Sequence, residues 1–145
     1  MLKLDGRCHC GNITIQYETS TPPEQAKLRA CQCSFCRKHQ SRAVSDPGGH
    51  VTFAVADAAN LNRYQFGLRS AEFLVCRGCG VYVGAFVADS SPSEGHATLM
   101  VNALDDEARY GSPEPTVYDA EDKTDRTARR RKMWTPATLM VAGGG

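Results

Sequence analysis

The chain has 145 residues, of which 41% are hydrophobic and 23% charged, a balance typical of one globular domain and unlike that of a disordered or fibrous chain. Its formal net charge of +1 excludes an overall field that would drive it onto nucleic acid or an anionic membrane. No apolar run approaches the roughly 20 residues of a membrane helix, and the opening MLKLDGRCHC lacks the apolar core of a signal peptide. We therefore expect a soluble, cytoplasmic protein.

The first third of the chain predicts two strands, a short helix and the turns between them. Residues 12–17 alternate apolar and polar side chains, which is the period of a strand with one buried face. Two adjacent prolines within residues 19–25 predict a loop that leads into a strand at 28–31. Residues 34–42 are polar and basic and predict a short helix before a turn at 46–49.

The middle of the chain consists of short runs rich in Val, Phe, Tyr and Thr, separated by turn residues. These runs predict strands at 51–55, 63–66, 72–76, 81–88 and 97–103. The polar, serine-rich segment at 89–95 is interpreted as a loop. Several short strands without alternating long helices indicate a mainly β domain built of small antiparallel sheets.

The last third of the chain contains a segment that is more basic than the rest of the sequence. Residues 121–132 carry six basic and three acidic residues, a pattern typical of a solvated helix or tail, with contact to an anionic ligand or nucleic acid as the alternative. We expect Trp134 to anchor this segment to the domain and Gly143–Gly145 to form a frayed end. The sequence thus predicts one β domain at 1–120 and a charged C-terminal extension at 121–145 that packs on it.

Seven cysteines are the main indication of function. Their odd number argues against a closed disulfide framework, and a reducing cytosol would keep them as thiols, so metal binding explains their close spacing better. They form three groups, which read Cys8-His9-Cys10-Gly11, Cys31-Gln32-Cys33-Ser34-Phe35-Cys36 and Cys76-Arg77-Gly78-Cys79-Gly80.

The flanking residues indicate which groups share a metal. Cys10 and Cys79 are each followed by glycine, which allows the positive φ of a tight metal-binding turn. Two such half-sites would close a structural zinc site, which ties the N-terminal strand to the region of Cys76. The ligands predicted for this structural zinc are Cys8, Cys10, Cys76 and Cys79.

The middle group, Cys31, Cys33 and Cys36, supplies only three thiolates. Three protein ligands leave the fourth tetrahedral position of zinc open for water or substrate, which is typical of a catalytic zinc. The alternative is a closed site of three cysteines and one histidine, for which His39 is nearest in sequence. Spacing alone leaves both interpretations open.

An open zinc with three thiolates has a net charge of −1 and is a weak Lewis acid, so it suits thiol chemistry better than hydrolysis. An incoming thiol would bind to it as thiolate at neutral pH. The nearby Arg37, Lys38 and Arg42 could offset the negative charge or hold the carboxylates of a thiol cosubstrate, although solvated surface cations are the alternative.

The sequence resembles the glutathione-dependent formaldehyde-activating enzyme family, which also includes centromere protein V. The resemblance rests on GRCHCG at 6–11, CQCSFCR at 31–37, CRGCG at 76–80 and NALDD at 102–106, and it spans roughly residues 5–110. It implies a β-tent fold of small antiparallel sheets around zinc, and the same division of the cysteines between a structural and a second zinc.

The resemblance also implies an activity. In this family glutathione sulfur joins the second zinc and adds to formaldehyde, giving S-(hydroxymethyl)glutathione, a carbon-sulfur lyase reaction run in reverse. We therefore expect a zinc enzyme with two zinc ions per chain, Cys31, Cys33 and Cys36 at the catalytic zinc, and glutathione or a similar thiol as cosubstrate. Its partners would be small thiols and aldehydes, with no membrane and no nucleic acid.

Two alternatives remain at this stage. In the first, both zinc ions are structural and Arg129, Arg130 and Arg131 dock a protein or nucleic acid. In the second, the three-cysteine group senses oxidants or metal. The residues available for proton transfer, none of which is assigned that role, are Tyr82, Tyr110, Tyr118, His39 and His96.

Overall fold

A computed structural model describes residues 1–142, which form eleven strands and two α-helices. The strands are β1 (Leu2–Arg7), β2 (Ile13–Thr19), β3 (Arg29–Cys31), β4 (Ala43–Val44), β5 (His50–Val55), β6 (Leu61–Tyr64), β7 (Glu72–Cys76), β8 (Tyr82–Ser91), β9 (Glu94–Met100), β10 (Glu114–Thr116) and β11 (Thr135–Val141). The helices are α1 (Ser34–His39) and α2 (Lys123–Met133). None of the helices in residues 1–142 is long and apolar enough to span a membrane.

Strand β9 connects the parts of the sheet, whose strand order is β1-β2-β5-β11-β9-β4-β3-β10. One edge of β9 pairs with β8, which continues through β7 to β6. The other edge is shared, because β11 pairs with the first residues of β9 and β4 pairs with the last. Residues of β3, β7 and β8, among them Cys31, Phe73 and Tyr82, line one cavity.

The predicted mainly β fold is confirmed, and its eleven strands are hydrogen-bonded into one connected sheet. Most neighbouring strands are antiparallel, but β3 with β10 and β5 with β11 form parallel pairs. In each parallel pair, the two strands are far apart in the sequence and are joined by a long connection. The sheet is therefore mixed.

Two hydrophobic clusters pack against β8. Residues 82–87 are all buried, because the two faces of this strand contact different clusters. The larger cluster lies around β2 and β5, with Ile15 and Phe53 at its centre. The smaller one contains Phe73, Tyr82 and Trp134 and lies beneath α1 and α2.

Several boundaries differ from the sequence predictions. The loop predicted at 89–95 is wrong, because β8 extends to Ser91 and β9 begins at Glu94, which leaves a tight hairpin turn. The strand predicted at 97–103 ends at Met100 and is followed by a 3-10 turn. The predicted helix at 34–42 ends earlier, since Gln40 takes a left-handed φ of 49°.

The C-terminal segment forms α2 and β11. Trp134, between these elements, is buried in the smaller cluster, as expected for an anchor. The predicted boundary at residue 120 stays a prediction, and Gly143–Gly145 lie outside the described residues.

Candidate metal centre and cavity

Two turns bring the first set of cysteines together. Cys8 and Cys10 lie in the turn between β1 and β2, while Cys76 is the last residue of β7 and Cys79 lies in the turn that follows it. The glycine after each pair has positive φ, 86° at Gly11 and 81° at Gly80. In each turn the backbone folds back tightly, as shown by the bond from the Gly80 N–H to the Cys76 carbonyl at 2.8 Å.

The four sulfur atoms have the spacing of a tetrahedral zinc site. All lie within 4.8 Å of one another, with Sγ–Sγ distances of 3.8 Å for Cys8–Cys10 and 3.5 Å for Cys10–Cys76. A tetrahedron with zinc-sulfur bonds of about 2.3 Å has sulfur atoms about 3.8 Å apart. All seven cysteines are free, so no disulfide competes for these sulfurs. This cluster could therefore hold zinc.

Burial and hydrogen bonds make the thiols of this cluster unequal. Burial raises the pKa of the Cys76 thiol to about 11. The pKa of Cys79 is lowered to about 6, because hydrogen bonds from the backbone of Cys10 and Val81 and from other thiols of the cluster outweigh its burial. Cys8 is fully buried, and its sulfur accepts a bond from the Ile13 N–H at 3.3 Å.

The second set of cysteines lies where β3 ends and α1 begins. Cys33 is the N-cap of α1, and its sulfur accepts a bond from the Cys36 N–H at 3.4 Å. Because Cys31 precedes this cap by two residues and Cys36 lies in the first turn, the three sulfurs approach within 4.8 Å of one another. The pKa of Cys33 is lowered to about 2 by bonds from the Cys31 and Cys36 thiols, whose own pKa values are raised.

Three sulfurs form this second cluster, and no His, Asp or Glu within residues 1–142 joins it. The exposed His39 lies outside it, on α1, where its ring packs against Phe35 at a centroid distance of 4.5 Å. The donor set is thus three thiols without a histidine, which fits zinc with one free coordination position.

The three-cysteine cluster opens into a cavity of about 140 Å³. Its aromatic lining includes Phe66, Phe73 and Tyr82. Its cationic lining consists of Arg29 and three arginines of α2. The four-cysteine cluster does not line this cavity. The two clusters therefore differ in access as well as in the number of sulfurs.

The cations of the cavity differ from those expected from the sequence. Arg37 and Lys38 are exposed on α1, and neither lines the cavity. Arg42 donates to Glu107 at 2.9 Å and to two backbone carbonyls, which makes it a link between loops. The arginines that do line the cavity are Arg29, Arg126, Arg129 and Arg130.

The arginines of α2 were not predicted to lie at the three-cysteine cavity, although the sequence contains a signal for a shared face. Arg126, Arg129 and Arg130 are spaced i, i+3 and i+4, which places them on one face of a helix. Arg126 and Arg129 both bond to Glu121, and the Arg129 guanidinium lies 3.7 Å from the centroid of the Tyr118 ring. The solvated helix expected here instead has a partly buried face against the cavity.

Two of the five candidate proton-transfer residues, Tyr82 and Tyr118, line the cavity. Burial raises the pKa of Tyr82 well above its usual range, and the neighbouring Cys36, Cys31 and Cys33 raise it further. Tyr110, His39 and His96 do not line the cavity.

A family model described as glutathione-dependent formaldehyde-activating enzyme matches residues 3–121. Among solved structures, the crystal structure of a Rhodobacter sphaeroides protein is similar to this chain, with 31% sequence identity and a TM-score of 0.58. The similarity covers 77% of this chain and 99% of the Rhodobacter sphaeroides chain. The comparison with curated proteins gives no match.

Proposed function

The chain belongs to the glutathione-dependent formaldehyde-activating enzyme family, and from that premise we propose that it is a zinc enzyme that joins a small thiol to a small electrophile. With glutathione and formaldehyde the product is S-(hydroxymethyl)glutathione, and the enzyme is then a carbon-sulfur lyase acting in reverse. The observation that carries the proposal is a cluster of three thiols, without a fourth ligand from residues 1–142, in the wall of a cavity.

The two cysteine clusters have different roles in this proposal. Cys8, Cys10, Cys76 and Cys79 hold a structural zinc, which is supported by their tetrahedral spacing and by their position away from the cavity. Cys31, Cys33 and Cys36 hold the catalytic zinc, which is supported by the missing fourth ligand and by their access to the cavity. When bound, this zinc supplies a positive centre that favours the thiolate form of an incoming thiol.

The reaction needs no oxidant or reductant. The thiol sulfur forms a bond to the carbonyl carbon, the S–H proton ends on the former carbonyl oxygen, and the carbon-oxygen double bond becomes single. The cavity wall contributes by holding the two reactants together and by limiting water, because Phe66, Phe73 and Trp134 are part of its lining. Three arginines of α2 contribute positive charge to the lining of the same cavity.

The alternative of a docking module has less support. It requires free cations at Arg129, Arg130 and Arg131, but Arg129 bonds to Glu121 at 2.7 Å and Arg131 to Asp89 at 3.2 Å. Arg130 is buried. The basic run is therefore engaged within the fold and presents little free charge to a polymer.

The test is the rate of exchange between formaldehyde and its glutathione adduct, measured by exchange NMR with the zinc-loaded chain. We expect the wild-type protein to accelerate exchange above the spontaneous rate and Cys33→Ser to give the spontaneous rate only. Ser34→Ala, a change at the exposed neighbouring residue, serves as the matched control and should retain the acceleration. Equal rates with wild type and with Cys33→Ser would contradict the proposal.

A further inference from the structure

One guanidinium in the cavity wall is buried without a carboxylate partner. Arg130 is 8% exposed, its Nη1 donates to Ser70 Oγ at 2.8 Å, and its guanidinium lies 4.7 Å from the centroid of the Trp134 ring. Its Nε has no partner among the described residues. Burial, with the neighbouring Arg129 and Arg126, lowers its pKa to about 10, so it stays charged at neutral pH.

One neighbouring carboxylate, that of Glu121, is already engaged by other arginines. Arg126 and Arg129 share Glu121, with N–O distances of 3.4 and 2.7 Å. Asp119 also lines the cavity, but no ion pair joins it to Arg130 within residues 1–142. A buried cation without an opposite charge is costly, because desolvation is not offset by a partner. This arrangement favours an anion from outside the chain.

Other polar atoms near Arg130 also lack partners. Five buried side-chain N or O atoms in the described residues have neither a hydrogen bond nor an ion pair, and four of them belong to residues that line this cavity. They are Arg130 Nε, Trp134 Nε1, Ser41 Oγ and Thr116 Oγ1. Because buried polar groups are generally hydrogen-bonded in native proteins, this concentration in one cavity indicates a polar ligand there.

We propose that Arg130, together with the indole N–H of Trp134, forms a subsite for the carboxylate of the thiol substrate. This proposal rests on the proposed function, since the thiol sulfur is placed at Cys31, Cys33 and Cys36 in the same cavity. Guanidinium recognises carboxylate through charge-assisted hydrogen bonds, and Arg130 lines the same cavity as the three cysteines. Both subsite residues follow residue 121, where the family match ends, so the subsite belongs to the C-terminal segment of this chain.

The substrate class that follows is an anionic thiol. A thiol whose carboxylate reaches Arg130 while its sulfur reaches the cysteine cluster makes two contacts in one cavity. A neutral thiol makes only the contact at the sulfur. The enzyme should therefore select thiols by charge.

The test compares two small thiols, mercaptopropionate and mercaptoethanol, which have a carboxylate and a hydroxyl on similar carbon chains. Their dissociation constants for the zinc-loaded full chain are measured by titration calorimetry at neutral pH. We expect mercaptopropionate to bind about 10- to 100-fold more tightly, the range of a charge-assisted hydrogen bond. Arg130→Met should remove most of this preference.

The matched control is Arg131→Met, which removes the adjacent exposed arginine and should keep the preference. Thermal unfolding checks that each variant is folded. If Arg130→Met does not fold, Trp134→Phe takes its place, because it removes the indole N–H and keeps an aromatic ring. Absence of a preference in wild type, or an equal loss for both thiols in the variant, would overturn the subsite.

A second experiment separates the subsite from the proposed function. Propionate and propanol, which lack sulfur, are tested by saturation-transfer NMR with wild type and with Arg130→Met. Binding of propionate to wild type alone supports the subsite, even if neither thiol binds and the proposed function fails. Thiol binding without any preference for carboxylates would leave the proposed function intact and reject the subsite.

Discussion

Single residues set the positions of the sulfur atoms. Gly11 and Gly80 take positive φ values directly after Cys10 and Cys79, and Cys33 caps a helix that carries Cys36 in its first turn. Backbone torsions that glycine adopts without strain thus determine one cluster, and a helix start determines the other. The identity of the residue after a cysteine is as important here as the cysteine itself.

Gly80→Ala tests the first of these statements. No atom would crowd the added Cβ, but a φ of 81° is strained for alanine, so we expect a loss of about 1–2 kcal/mol in the free energy of unfolding. The strain should also speed the loss of zinc to a chelator. Gly111→Ala is the matched control, because that position is equally open and has no positive φ, and it should change neither quantity. Equal effects of the two changes would refute the torsional explanation.

Tyr17 gives a second prediction at this scale, on alkaline stability. Burial raises its pKa to about 12, above the ordinary value of 10.0. Between these pH values the unfolded chain loses the proton and the folded chain keeps it, so stability is full below pH 10 and falls as pH rises towards 12. The loss from this one group is about 2–3 kcal/mol.

Tyr17→Phe should therefore lose less stability than wild type between pH 9 and pH 12, in urea unfolding followed by circular dichroism. Tyr64→Phe, at an exposed ring, is the control and should follow the wild-type curve. Parallel curves for Tyr17→Phe and wild type would show that Tyr17 does not titrate as described.

At the scale of elements, the two clusters connect very different lengths of chain. The contact between Cys10 and Cys76 joins residues 66 apart, whereas the second cluster lies within residues 31–36. By the closure entropy of a cross-link, a 66-residue loop corresponds to about 4 kcal/mol and a five-residue loop to about 2 kcal/mol. The first cluster should thus matter more for folding.

Cys79→Ser and Cys33→Ser test this difference. We expect Cys79→Ser to unfold or to lose about 4 kcal/mol of stability, because it opens the link between the β1–β2 and β7–β8 turns. Cys33→Ser should remain folded with a small loss. Zinc content per chain and thermal unfolding of both variants provide the measurement, and similar behaviour of the two would contradict the division into structural and catalytic sites.

Sequence reasoning succeeded where the signal was local. The strand at 72–76 and the helix start at Ser34 follow from short patterns, and the grouping of four and three cysteines follows from spacing and glycines. It failed where the result depends on long-range pairing. Strand β11 was missed because the charged residues before it indicated a solvated helix or tail, yet it pairs with β5 and β9.

The cationic wall of the cavity could not be derived in the same way. The spacing of Arg126 and Arg130 indicates a shared helix face, but which surface that face covers depends on the packing of Trp134 in the smaller cluster. The hairpin at Ser91 and Glu94 was missed because its residues are polar and were interpreted as a loop. Polar residues nevertheless form strands when a partner strand supplies the hydrogen bonds.

At the scale of the whole molecule, α2 and β11 connect the cavity with the sheet. β11 lies between β5 and β9, and α2 precedes it and adds the arginine-rich side of the cavity. The C-terminal segment therefore takes part both in the sheet and in the proposed substrate site. The central claim that unites these features is that the Cys31, Cys33 and Cys36 centre accepts one sulfur from outside the chain.

The most direct test of this claim uses the chain loaded with cobalt(II), whose absorption reports the ligands around the metal. Titration with glutathione should change the sulfur-to-cobalt absorption of the wild-type protein and saturate at one glutathione per chain. S-methylglutathione, which has no free thiol, should produce no change, and neither should glutathione added to Cys33→Ser. A wild-type spectrum that glutathione leaves unchanged, or an identical change in Cys33→Ser, would contradict an open thiol-accepting centre.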